Sequence, residues 1–177
     1  MKKILAIFLC ITALLSFASC SRNIPKNMTP ASSDNEAFNF YVPKSWGLNS
    51  SGGTASAFFS ASDRSNVSMT CMLEDEGLTD LTEYCTLAFK SYREILPEFD
   101  GLFAVPGEEG NKGNTLGGEP AAYMTYTTKL DEVTYKYMQL VCMHGGMFYI
   151  FTYTSTAELF DSHMEDVEMM LQYISFK

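Results

Sequence analysis

The chain is poor in positive charge, in histidine and in every familiar catalytic signature. Lys and Arg total 12 against 21 Asp and Glu, a net charge of −9 at pH 7. A surface of that sign repels phosphate backbones and gains nothing from anionic lipid, which argues against nucleic acid as a partner. His144 and His163 are the only histidines. Neither is read as part of a nucleophile, base and orienting acid, and no serine stands in a G-x-S-x-G turn. Cys142 and His144 share a strand face, but their side chains point in parallel rather than at each other. His163 reads as a satisfied helix-face residue and His144 as a solvent-exposed turn residue. No C-x-x-C occurs, which removes zinc knuckles and thioredoxin-type redox pairs. The regular spacing of a D-x-D-x-D-G calcium loop is also missing, so Glu74, Asp75, Glu76 and Asp80 read as solvated charge before a helix. Glu108 and Glu109 read the same way. No catalytic residue, metal site or cofactor is assigned.

What is present begins at the first residue. Lys2 and Lys3 precede an uncharged run, Ile4 to Phe17, which closes on the small residues Ala18 and Ser19 directly before Cys20. That layout is a secretory signal, and the run is shorter than the roughly 18–20 residues a spanning helix needs. The cysteine placed after the small residues makes the segment resemble a bacterial lipoprotein signal, with Phe17 where Leu is usual. That resemblance implies removal of residues 1–19, acylation of Cys20, and attachment outside the cytoplasm to a bacterial cell membrane or envelope. The rival is an ordinary signal with a chance cysteine. Cys10 has too little apolar sequence before it to serve. Cleavage leaves 158 of 177 residues, with ten Lys and Arg against 21 acids. Residues 20–36, through the polar Ser21 to Glu36 with its two prolines, read as a flexible tether, and residues 37–177 as one globular domain. The remaining cysteines, Cys71, Cys85 and Cys142, each fall in an apolar pattern. They read as buried thiols, the alternative being one pair and one free thiol.

Hydrophobic periodicity orders the domain. Phe38 to Val42, Ala55 to Ala61 and Val67 to Met72 are expected as strands, with Cys71 on an apolar face. Thr79 to Leu96 is expected as a helix, started by Asp80 with Glu83 and buried along Leu81, Tyr84, Cys85, Ala88, Tyr92 and Ile95. A glycine-rich stretch, Gly101 to Gly118, holds a short strand at Leu102 to Val105. Ala121 to Lys129, Val133 to His144 and Met147 to Thr154 then read as consecutive antiparallel strands. A Gly145-Gly146 hairpin turn sets His144 opposite Met147. It follows that Val141 pairs with Ile150 and Met143 with Phe148 on one face. Leu140 pairs with Phe151, Cys142 with Tyr149 and Met138 with Tyr153 on the other. Both faces are apolar, so both need cover. A last amphipathic helix, started by a Ser155/Glu158 capping box, supplies some of it through Phe160, His163, Met164, Val167, Met170, Leu171 and Ile174. The fold class is α+β, an antiparallel sheet between helical layers.

Three segments together resemble PsbP-like and DcrB-like domains. Phe40-Tyr41-Val42-Pro43-Lys44-Ser45-Trp46 resembles their opening strand and Pro-x-x-Trp turn. Leu116-Gly117-Gly118-Glu119-Pro120-Ala121 resembles the entry to their central strands. Tyr135 to Thr154, with Phe160-Asp161 and the final helix, resembles their closing hairpin and helix. The resemblance spans roughly Phe38 to Phe176 and implies an α-β-α sandwich with a central antiparallel sheet. It also implies an accessory or assembly role at membranes, with no catalytic residue set to carry over. The calcium or manganese sites of photosynthetic members do not map onto this sequence.

One cluster stays open. Tyr123, Tyr126, Tyr135, Tyr137, Tyr149 and Tyr153 sit on the central strands with Met124 and Met138. They could line a groove for a hydrophobic ligand or peptide, since Tyr and Met suit adaptable surfaces. Plain core packing with hydroxyls at the rim is the favoured alternative. The function expected is a lipid-anchored extracytoplasmic domain, not an enzyme, that binds an envelope protein or supports assembly. A solute- or hydrophobic-ligand-binding lipoprotein is the alternative, and a hydrolase the third reading.

Overall fold

The computed structural model describes residues 24–33, 36–49, 54–73, 78 and 80–177. Cys20, the signal segment and Glu74 to Glu76 lie outside them. The elements run β1 (Met28–Pro30), β2 (Phe38–Asn39), β3 (Tyr41–Pro43), β4 (Gly47–Asn49), β5 (Ala55–Phe58), β6 (Asn66–Leu73) and α1 (Leu81–Ile95). They continue with β7 (Asp100–Ala104), β8 (Thr115–Leu116), β9 (Glu119–Leu130), β10 (Val133–His144) and β11 (Met147–Thr156). A 3-10 turn at Phe160–His163 leads into α2 (Met164–Gln172), and β12 (Ser175–Phe176) closes the chain. The main sheet is antiparallel, ordered β4-β5-β6-β11-β10-β9-β7, with β8 beside β9. The fold class is therefore α+β.

The hairpin register is the one the sequence dictates. Gly145 and Gly146 take φ of 58° and 76°, left-handed values that glycine adopts without strain. His144 then faces Met147, Val141 faces Ile150, Leu140 faces Phe151 and Met138 faces Tyr153. Alternation sorts these pairs into two cores. Met138, Leu140, Cys142, Phe151 and Tyr153 pack with Val167 and Met170 of α2. Val141 and Phe148 pack on the opposite face with Cys85 and Phe89 of α1. Asp80 starts α1 by accepting the Glu83 amide at 2.8 Å.

Four expectations need correction. Ile95 is 68% exposed, and Phe89, four residues beyond Cys85, takes the buried place instead. The opening strand is broken at Phe40, whose amide bonds the Ser32 hydroxyl at 2.9 Å. β2 pairs with the C-terminal β12 and β3 with β1. The tether is correspondingly shorter than Ser21 to Glu36, because Met28 is 2% exposed and joins the core. Ser155 does not cap a helix. It stays in β11 opposite Lys136, because the ladder continues through Thr156, and the last helix begins without a side-chain cap.

Candidate functional site

The six tyrosines do not gather in one groove. Tyr123, Tyr149 and Tyr153 belong to the α2 face of the sheet, and Tyr126 and Tyr137 to the α1 face. Tyr135 is two residues from Tyr137 and shares its face by alternation. Tyr153 is fully buried and donates its hydroxyl to the Phe160 carbonyl at 2.8 Å. Tyr149 lies edge-on to Phe38 at 6.3 Å and near Phe176 at 4.2 Å. Tyr126 and Tyr137 stack at 4.6 Å, and burial drives the Tyr126 phenol far above its ordinary range. Tyr135 accepts from the Arg64 guanidinium at 2.7 Å. Five of the six are thus engaged in packing or hydrogen bonds, the favoured alternative at those positions.

Tyr123 lines a cleft beside α2, and Tyr126 a smaller hollow at the β7–β9 edge. The cleft holds about 300 Å³ between the sheet and α2. Its floor is apolar: Tyr123, Met138, Leu140, Met164 and Leu171. Its rim is polar, formed by Lys112 and Asn114 on one side and Glu168 of α2 on the other. The loop carrying Lys112 is organised by one side chain. Asn111 donates to the carbonyls of Ala104 and Ala121 at 3.0 and 2.9 Å. Its side-chain oxygen accepts the amides of Gly113 and Asn114, each at 3.1 Å. Glu108 adds a bond to the Val105 amide at 3.1 Å, a structural role beyond the solvated charge expected. The rim is therefore preformed.

A second polar cluster, largely buried, lies at the N-terminal end of α2, next to Met164 of the cleft. His163 bonds Asp63 through Nε2 at 2.8 Å and packs on Phe59 and Trp46, with ring centres at 4.1 and 5.8 Å. Ser65 donates its amide and its hydroxyl to the other Asp63 oxygen, and its hydroxyl also meets that of Ser155 at 2.8 Å. Burial alone would raise the Asp63 carboxyl, but the bonds from Ser65 and His163 hold it below its ordinary 3.8. Serine and imidazole both bond the carboxylate, which sits between them, so the imidazole is not placed as base for the hydroxyl. His163 is satisfied as expected, but from the 3-10 turn ahead of α2 rather than from a helix face, and its partner lies 100 residues away in sequence. His144 is half-buried rather than a free turn residue. It bonds Glu119 at 2.8 Å and stacks on Phe176 at 4.8 Å.

The thiols of Cys71, Cys85 and Cys142 are free. Cys71 and Cys142 both flank Tyr149, one on each neighbouring strand. A strand between them sets their backbones about 9.5 Å apart, beyond the ~7 Å a disulfide spans. Cys85 lies on the opposite face of the sheet. Burial pushes the Cys85 and Cys142 thiols up to about 12, so neither is a ready nucleophile. Thiol titration of the unfolded, non-reduced protein is expected to find all three reactive. A count of one or none among them would overturn this arrangement.

No protein-family model and no curated protein sequence matches the chain. Solved structures do. Cyanobacterial PsbP (CyanoP) from Synechocystis superposes with a TM-score of 0.59 at 11% identity, over 91% of this chain and 99% of its own. LpqN of Mycobacterium tuberculosis, described as involved in cell envelope biogenesis, gives 0.55 at 14%, over 85% and 90%. The Ran-binding protein Mog1p of Saccharomyces cerevisiae gives 0.55 at 8%, over 85% and 95%. At these identities the likeness speaks to the backbone, and the chain has the PsbP-like fold.

Proposed function

We propose that the chain is a lipid-anchored, extracytoplasmic accessory domain that binds protein partners or supports assembly at a bacterial membrane or envelope. The observation that carries this reading is the fold shared with an envelope-biogenesis protein, a PsbP protein and a Ran-binding protein. Holding a partner is a task common to such accessory proteins, and it suits a chain whose buried Ser, His and Cys groups are engaged in structure. The layering that fits is an α-β-α sandwich, α1 over Val141 and Phe148 and α2 over Phe151 and Tyr153. Cys20 supplies the anchor. Stable attachment calls for two or more acyl chains. A second reading, a lipoprotein that binds a hydrophobic solute, draws support from the cleft beside Tyr123.

Cells fed an alkyne-tagged fatty acid should label the wild-type protein in the membrane fraction. Cys20→Ala should lose the label and move to the soluble fraction. Unchanged labelling and partitioning would sink the anchor.

A further inference from the structure

We infer that the cleft between the sheet and α2 is the docking point for a basic polypeptide segment that inserts one large apolar side chain. The inference rests on the protein-binding reading and names the surface and the partner chemistry.

Three observations carry it. The first is the cleft itself. Its volume of about 300 Å³ lies at the low end for small-molecule sites, which commonly enclose most of their ligand. Here the cleft is open on one side. A pocket of that size and openness suits a large side chain presented from a partner's surface, the usual form of an interface anchor. Met138 and Met164 give it walls that adjust to the shape of what enters.

The second is charge. Between Lys136 and Lys177 the sequence has no Lys or Arg, yet it carries Glu158, Asp161, Glu165, Asp166 and Glu168. Glu165 and Glu168 are exposed, and neither forms an ion pair among the described residues. Glu165 and Glu168 stand three residues apart and so share one side of α2, while Asp161, in the preceding 3-10 turn, is already paired with Lys136 at 3.9 Å. Glu168 reaches the cleft rim. An apolar anchor flanked by Lys or Arg matches this edge. Among the described residues the one cation lining the cleft, Lys112, stands on the loop opposite.

The third is preorganisation. The bonds of Asn111 fix the loop that forms one wall, and Tyr123 enters the cleft without a hydrogen-bond partner among the described residues. A wall already held in place loses little entropy when a partner docks.

The test uses the purified chain and four probes, followed through the methyl signals of Met138 and Met164. The probes are the capped tripeptides Lys-Phe-Arg, Lys-Ala-Arg and Asp-Phe-Glu, and laurate. Lys-Phe-Arg should shift both methyls and bind at least tenfold more tightly than the alanine or the acidic peptide. Its affinity should fall as salt rises. Glu168→Gln should weaken it about fivefold, and Lys112→Ala should tighten it about twofold. Tighter binding of laurate or of the acidic peptide, or shifts confined to other methyls, would overturn the inference.

A photo-crosslinking side chain placed in cells at Leu171, in the cleft, or at Leu87, exposed on α1, separates the two levels of the argument. Adducts from Leu171 that disappear on adding Glu165→Gln and Glu168→Gln support the docking point. Adducts from Leu87 alone would keep partner binding and overturn the cleft. Adducts from neither site would count against partner binding itself.

Discussion

Phe151→Ala should destabilise the protein by about 3–5 kcal/mol, and Phe148→Ala by a similar amount. The two residues lie three apart on β11 and point to opposite faces. Phe151 is fully buried among Leu140, Met69 and Phe40, whose ring meets it edge-on at 5.9 Å. Phe148 is equally buried on the other side, where Tyr84 of α1 stacks on it at 5.2 Å. Each truncation leaves a cavity in a wall that the rest of the sheet holds rigid, so little collapse is available to relieve it. The two cavities do not share neighbours, and the losses should add to within about 0.5 kcal/mol in the double variant. Denaturant unfolding measures the totals. Hydrogen exchange locates them: Phe148→Ala should speed exchange in α1 and leave α2 protected, and Phe151→Ala should do the reverse. A loss under about 1 kcal/mol at either position would mean that its face is not a core.

The second large effect belongs to the buried pair at the foot of α2. His163→Ala should cost about 2–4 kcal/mol, because it removes a ring packed on Phe59 and Trp46 and leaves the Asp63 carboxylate short of a partner. Asp63→Asn should cost less, about 1–3 kcal/mol, since the amide keeps the shape and part of the bonding. The two differ in their acid response. The Asp63 carboxyl is held below its ordinary 3.8 in the folded state, so the stability it contributes is complete above 3.8 and is lost as pH falls through the lower, folded value. The difference in stability between wild type and Asp63→Asn should therefore shrink as pH falls below about 4. Urea midpoints at several pH values measure it. A difference no smaller at about pH 2.5 than at about pH 4.5 would show that the carboxyl is not held by its neighbours.

The parts of the fold that the sequence made legible are those governed by local rules. Gly145-Gly146 permits one tight turn, and from it the register of Val133–His144 against Met147–Thr156 follows residue by residue, together with the assignment of each side chain to a face. Asp80 and Glu83 mark a helix start by a bond that spans three residues. Features set by long-range geometry were not legible. Ser155 fits a capping box in isolation, but the extended ladder to Thr156 offers more hydrogen bonds than the cap. The six tyrosines look like one cluster until alternation divides them, and Tyr123 reaches the cleft beside α2. The cleft needed Lys112 and Glu168, 56 positions apart, to meet across it. Asn111 gave no signal at all, because an Asn in a glycine-rich loop reads as a turn residue until its side-chain bonds are seen. The partnership of Asp63 with His163 spans 100 positions and no periodicity encodes it.

The short strands at the two ends of the chain have a mechanical consequence. β1 and β3 form a clasp of three residue pairs, opened at Met28↔Pro43 and closed towards Pro30↔Tyr41, outside the main sheet. A pull on the chain ahead of Met28 loads that open end, so the rungs part in sequence, like a zip, instead of sharing the load in shear. β12 grips the neighbouring β2 through Phe176↔Phe38 and is not on this line of force. Tension from the N-terminal side should therefore peel β1 away first and release chain at roughly 3.3–3.6 Å per residue. The eight-stranded sheet would remain closed meanwhile, so the domain could gain reach under load without losing its two cores.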